Sequence, residues 1–373
     1  RRFRQNVTDI DVKARQGVSC DVCHSITEII ETRNARLQLT PNGVQRGTIQ
    51  DPVANQFHES EYSPLHGESN VCSSCHAVTN SKGALIEQTF AEWSYSRYPT
   101  EGKTCQTCHM PEYRGQAAKD GPERTVHRHL FVGVDVSLLP PDEFPGYHEM
   151  RDLTTALLRE AADLNVAFDT GTQSLNLSIE NLAGHALPSG SIADRQVWIE
   201  LLVRDENGEL VFESGTLDAN GDLRDGLSSH NSQPGTDPQL VFYGQLPLRV
   251  PELVTETDPA RKTAIRARVG AACKPMGLGG IPSDAGAIPV MFPWQSTWQC
   301  DFLIPANGTS HPSFDLSELS SGRYDASIRL LYRTFPPFVL RRLEVLGDLD
   351  PLVKGRVPIV TMNETSLRFE VSE

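Results

Sequence analysis

The chain has 373 residues, with 34 Lys and Arg against 48 Asp and Glu and a formal net charge of −14. That length holds two domains and a sizeable core, and that acidity excludes nucleic acid as a partner and argues against binding to an anionic membrane surface. No apolar run approaches the length of a membrane span, and no stretch reads as a signal peptide.

Along the chain, the first informative segment is Cys20-Asp21-Val22-Cys23-His24. The same Cys-x-x-Cys-His pattern returns at Cys72-Ser73-Ser74-Cys75-His76 and at Cys105-Gln106-Thr107-Cys108-His109. It is the attachment signal of c-type haem: two thiols add to the haem vinyl groups and the adjacent histidine binds the iron. A four-thiolate zinc site or a redox-active pair also uses Cys-x-x-Cys. Neither requires a histidine after every second cysteine, and all three copies have one. Three covalently bound c-type haems are therefore expected, with thioethers at Cys20, Cys23, Cys72, Cys75, Cys105 and Cys108. His24, His76 and His109 are the proximal iron ligands.

The first 150 residues contain eight of the eleven histidines and little periodic apolar sequence. We expect short helices carrying the motifs, long irregular connections, and porphyrins supplying the missing apolar surface. Residues 1–150 are thus read as a mainly helical or irregular multihaem domain. Met150 to Leu164 reads as a bridging helix that ends as an edge strand.

Residues 151–373 read as strands. Ser174–Asn181 and Gln196–Asp205 alternate apolar and polar residues, and Asn207-Gly208 before Leu210-Val211-Phe212 marks a hairpin. Further strands are expected at Gln239–Tyr243, Thr263–Val269, Thr297–Ile304, Tyr324–Tyr332 and Ser366–Val371. Short strands with regular turn signals point to an antiparallel β-sandwich. Asp218-Ala219-Asn220-Gly221-Asp222 begins like a calcium loop, but Leu223 and Ser229 stand where that loop needs Gly and Glu. A polar turn is expected there, and calcium is not.

Cys273 and Cys300 are the two cysteines outside the motifs. Haem attachment of this kind takes place outside the cytoplasm. In an oxidising compartment two leftover thiols form a disulfide, worth about 3–4 kcal/mol in the chain-entropy model. Two unconnected buried thiols are the alternative.

The flanks match more than haem attachment requires. Gly17-Val18-Ser19-Cys20-Asp21-Val22-Cys23-His24, Phe90-Ala91-Glu92-Trp93 before Gly102-Lys103-Thr104-Cys105-Gln106-Thr107-Cys108-His109-Met110-Pro111, and His127-Arg128-His129-Leu130-Phe131-Val132-Gly133 resemble segments of multihaem c-type cytochromes of the tetrahaem type. Asn181-Leu182-Ala183-Gly184-His185-Ala186-Leu187-Pro188-Ser189-Gly190, with Arg195 and Trp198, resembles the opening of a β-domain fused to such cytochromes. In those relatives another haem motif and a distal histidine precede the first segment. Here nineteen residues precede Cys20, beginning Arg1-Arg2-Phe3-Arg4, so the chain is read as a processed, incomplete or shortened relative.

The resemblance also ranks the second axial ligands. His129 leads, with His127 two residues away as its alternative, one ligating while the other serves a propionate. His58 follows by resemblance. His66, six residues before Cys72, is expected to serve a neighbouring haem if it ligates at all. His185 sits on a Gly- and Pro-rich loop of the kind that aims ligands from a rigid scaffold. His230 and His311 read as surface histidines, and Met110 as a poor ligand.

Together these readings describe a periplasmic or extracellular electron carrier, bacterial or archaeal, with bis-histidine haems. Its partners are other redox proteins or copies of itself in a membrane-associated or polymeric cytochrome assembly. The alternative is a multihaem oxidoreductase acting on a small nitrogen or sulfur oxyanion at one open haem. No Cys-x-x-Cys-Lys and no catalytic cluster supports an enzyme.

Overall fold

The computed structural model of the chain describes residues 17–226, 236–273 and 286–372, apart from 136, 139, 144, 348 and 350. His230 and Ser229 lie outside the described residues. Contacts divide the chain into two compact units. One comprises residues up to Ala77 with Gly102–Phe131; the other comprises Val78–Glu101 with Val132 onward. This division does not coincide with the boundary near 150 expected from composition.

In the first unit each attachment motif forms a single helical turn. These are Cys20–His24, Asn70–Ser73 continued by the His76 N–H to Cys72 carbonyl bond, and Cys105–His109. No apolar 3.6-residue pattern extends them, so each ends within a turn or two. The intervening segments pair instead. Ile26–Ile29 joins Leu37–Leu39, and Glu112–Gln116 joins Glu123–His127, both antiparallel. Val44–Gly47 pairs in parallel with Glu59–Tyr62. Among the described residues strand outweighs helix, 34% against 24%, and the first unit consists of small sheets around single helical turns, which overturns the expected mainly helical or irregular haem domain. The physical reason is local. The connections between motifs are long enough and polar enough to close as small two-stranded sheets, which satisfy their backbone groups without a core.

The second unit is built on two antiparallel sheets. Ala162–Asp169, Ser174–Asn181, Thr309–Ser310 and Ser313–Asp315 form the smaller. The larger runs Ile288–Pro289, Phe242–Arg249, Gln196–Asp205, Gly322–Arg333 and Val360–Val371, with Leu210–Ser214 and Trp298–Phe302 at its side. Strand alternation puts Leu175, Leu177 and Ile179 on one face of the small sheet. Val197, Ile199, Leu201 and Val203 from the large sheet join them in one core with Ile328, Leu330 and Phe314. Each such side chain contributes about 1.5–3 kcal/mol by leaving water. The opposite face of the Gln196–Asp205 strand buries Trp198 against Leu223, Leu240 and Leu331.

Tyr147–Glu160 is a helix that leads directly into the Ala162–Asp169 strand. Thr263–Val269, expected as a strand, lies inside the helix Pro259–Ala272. Asp258 caps it by accepting from the Ala260 N–H at 2.8 Å, and Pro259 occupies the first turn. The start signal lay upstream of the apparent alternation, and Ala, Arg and Lys favour the helix. Cys273, at the end of this helix, is joined by a disulfide to Cys300 in the Trp298–Phe302 strand, with Cα atoms 5.7 Å apart. The Asp218–Asp222 segment is a turn in which the Asp218 carboxylate accepts from the Asn220 and Asp222 N–H groups.

Candidate functional site

The Cys-x-x-Cys-His spacing has a simple consequence in a helical turn: positions i, i+3 and i+4 share one face. The first and third motifs, each helical from first cysteine to histidine, thus present two thiols and an imidazole together. Cys20, Cys75 and Cys108 are exposed, and Cys23, Cys72 and Cys105 half-buried. Cys72 and Cys105, from different motifs, influence one another, which lowers the Cys105 thiol and, together with burial, raises Cys72. Burial is the main reason that Cys23 is also raised, with Cys75 and Cys20 next. All six motif thiols lie in the first unit.

His24 donates from Nδ1 to the Arg46 carbonyl at 2.5 Å. A carbonyl on one ring nitrogen fixes the tautomer and leaves the other nitrogen as a basic donor to a metal. His129 is arranged likewise, donating from Nδ1 to the His127 carbonyl at 3.0 Å. The two ring centroids are 6.0 Å apart. Among the described residues neither Nε2 has a hydrogen-bond partner. Imidazole nitrogen binds first-row metals at about 2.0–2.1 Å, so two rings on opposite faces of one iron have centroids roughly 6 Å apart. This pair fits that requirement.

The other candidates differ. His66 has both ring nitrogens engaged: Nε2 donates to the Cys23 carbonyl at 3.0 Å and Nδ1 accepts from the Ser63 hydroxyl at 2.9 Å. Burial is the main cause that lowers its pKa. His127 donates from Nδ1 to the Met110 carbonyl at 2.7 Å, and its Nε2 lies 3.8 Å from Glu112. His58 is exposed, its Nδ1 held by the Glu59 carbonyl and Ser60. His76 is exposed and His109 half-buried. His185 belongs to the second unit and donates from Nδ1 to the Ala186 carbonyl. His311 is exposed.

Ile26 is the one buried apolar side chain described in the first unit, against the buried polar residues Ser25, Arg46, Ser69, Ser73, Ser74 and Gln106. Among the described residues, none of the hydrophobic clusters draws a member from it. Large apolar groups attached at the exposed thiols would fit such a unit. Each porphyrin brings its own four nitrogens and asks the protein only for axial ligands.

Two segments that read as haem-domain and β-domain features turn out to be two sides of one contact. The helix Thr89–Tyr95 belongs to the second unit. Its Glu92 accepts from the Ala186 N–H at 3.1 Å and the Ser189 hydroxyl at 2.6 Å. Tyr98 donates to the Leu182 carbonyl. A Cβ on Gly184 would lie 2.9 Å from the Tyr98 ring, so only glycine allows this approach. Burial raises the Glu92 carboxyl above its usual range, partly offset by those two hydrogen bonds. Asn80 and Lys82 add bonds to the Pro293, Ser296 and Gln295 carbonyls. Glu92, Leu182, Gly184, Ala186 and Ser189 lie in the segments that carry the resemblance, but their role in this contact is not legible there; the glycine in Gly-His-Ala-Leu-Pro is the one available signal.

Among the described residues no helix is long and apolar enough to cross a membrane. No family model matches the sequence. No curated protein matches it. Among solved structures, a penta-heme cytochrome c552 from Thermochromatium tepidum is similar at 15% identity, with a TM-score of 0.54, over 94% of this chain and 76% of that one. The chain has the fold of that multihaem cytochrome c.

Proposed function

We propose that this chain is an extracytoplasmic electron-transfer protein carrying three covalently bound c-type haems with histidine on both faces of each iron. The observation that carries the reading is the first unit itself: three attachment turns gathered where, among the described residues, Ile26 is the one buried apolar side chain. The fold shared with a penta-heme cytochrome supports a redox role. When bound, each haem supplies a one-electron couple whose potential follows its axial ligands and surroundings. The protein's part is to hold the thioethers on six cysteines, to fix the imidazole tautomers through backbone carbonyls, and to keep ligands from leaving. The pairing of His24 with His129 is the best-supported axial set; His58, His127 and His185 remain for the other irons. Partners are redox proteins or further copies of the chain in a cytochrome assembly, and the compartment is periplasmic or extracellular.

The test is mass and spectrum together. Intact mass after acid–acetone extraction should equal the chain plus three haems, and the resting spectrum should be wholly low-spin. A bare or zinc-bearing chain ends the haem reading. A high-spin band with rapid carbon monoxide binding replaces the carrier by an enzyme with one open iron. His129→Ala should convert one haem of three to high-spin; three unchanged low-spin haems would remove His129 as ligand.

A further inference from the structure

We propose that the turn Ser63–Ser69 is the junction that sets the spacing of all three attachment helices, with His66, Ser69 and Gln106 as positioning residues. This rests on the haem reading and adds to it a role for residues outside the motifs. The turn contains the short 3-10 helix Pro64–Gly67 and leads straight into the second attachment helix. It is anchored by the Ser63 N–H on the Gly47 carbonyl at 2.7 Å.

From this turn one arm reaches the first motif. The His66 Nε2–H bonds the Cys23 carbonyl at 3.0 Å, and its ring stacks on His24 with centroids 5.7 Å apart and planes 10° from parallel. A second tie runs from the hairpin after the first motif: the Ala35 N–H donates to the Ser74 carbonyl at 2.7 Å and the Asn34 N–H to the Ala77 carbonyl at 2.8 Å. Another arm reaches the third motif. Ser69 Oγ accepts from the Cys105 N–H at 3.0 Å, satisfying a donor that the first turn of a helix leaves open. Gln106, inside that motif and 5% exposed, donates to the His66 and Glu68 carbonyls at 3.2 and 3.0 Å. Motif residues at both ends of the unit are thus bonded to the same seven-residue turn.

The same geometry removes His66 from the ligand candidates. A carbonyl cannot donate, so Nε2 carries the proton and the Nδ1 lone pair is used by Ser63. No lone pair is left for iron. His66 holds the backbone of one attachment helix against the start of another.

The experiment uses the haem-loaded full chain and compares His66→Ala, His66→Gln and Gln106→Ala. Haem mass, spin state, the Soret circular-dichroism couplet that reports coupled haems, and the potentials are read for each. The expected result for His66→Ala is three haems, all low-spin and closed to carbon monoxide, with loss of couplet amplitude and a shift in one potential. His66→Gln restores both, because an amide N–H can still reach the Cys23 carbonyl but cannot replace a ligating imidazole. Gln106→Ala, which cuts the tie between the third motif and the turn and leaves the His66 imidazole in place, weakens the couplet independently and keeps the test valid if His66→Ala fails to fold. A high-spin haem in His66→Ala that Gln does not rescue makes His66 a ligand and overturns the proposal. So does an unchanged couplet in both alanine variants. Absence of haem from the unmodified chain overturns the functional reading as well, and is seen by mass before any variant is made.

Discussion

The two units reach a folded state by different means. The second has strand alternation that fills a shared core with Leu, Ile, Val and Phe, and its stability is ordinary hydrophobic burial. The first buries Ile26 and a set of serines, Arg46 and Gln106, and is held by hydrogen bonds between turns. Such bonds contribute only about 0.5–1.5 kcal/mol each, too little to offset the conformational entropy of its many ordered residues. The contrast teaches that sequence patterning reports a core only when the core is made of side chains. Where an attached group supplies the apolar mass, the pattern falls silent and the attachment motif carries the information.

That contrast breaks most sharply if the attachment sites are removed. With all six motif cysteines changed to Ala, the first unit should lose its amide protection from hydrogen exchange while the second keeps its own. Equal protection in both units would show that the first has a sufficient core of its own. Next in size is Ile199→Ala, which should cost about 2–5 kcal/mol in urea unfolding of the second unit and leave the haem spectrum unchanged. A spectrum that moves with it would mean that the units are not independently stabilised.

The disulfide sharpens the comparison further. Changing Cys273 and Cys300 to Ser should lower the stability of the second unit by about 3–4 kcal/mol in the chain-entropy model, with no change in haem content. Peptide mapping without reductant should recover the two as one linked pair, and two free thiols would refute it.

The smallest effect is a pH dependence. Burial raises the Glu92 carboxyl, so the folded chain holds its proton to higher pH than the unfolded one. Its contribution to stability is therefore full below the ordinary carboxylate value of about 4.3 and declines as pH rises through the raised one. Asp301 and Glu87 face the same region and add repulsion, and Asp301 is itself raised by burial. Glu92→Gln should lessen the decline in thermal midpoint across the weakly acidic range, because the amide still accepts from Ser189. An unaltered slope would assign the effect to other groups.

Much of the second unit was legible. Ser174–Asn181 and Gln196–Asp205 were readable to the residue because period-two alternation is a local property, and Asn207-Gly208 needs only its own backbone freedom. The helix Pro259–Ala272 was not, since a seven-residue window concealed a cap that began earlier. In the first unit the three attachment motifs were legible as patterns, and the small sheets between them were not. Two-stranded pairs such as Glu112–Gln116 with Glu123–His127 carry no buried face to impose a pattern.

The sequence by itself determined which residue types stand at which spacing. Thiols and imidazoles at fixed spacing carry the proposal of covalent haem attachment, and a leftover pair of cysteines specifies a crosslink candidate. What only the tertiary structure decided is which histidines are free to bind and which are already used. His24 and His129 each spend one nitrogen on a carbonyl, while His66 spends two, and no spacing rule distinguishes them. It also decided that Glu92 and Gly184 belong to one contact, though 92 residues separate them. Hydrogen-bond partners distant in sequence are chosen by the packed fold, because a ring nitrogen or carboxylate bonds whatever the folded backbone brings within about 3 Å.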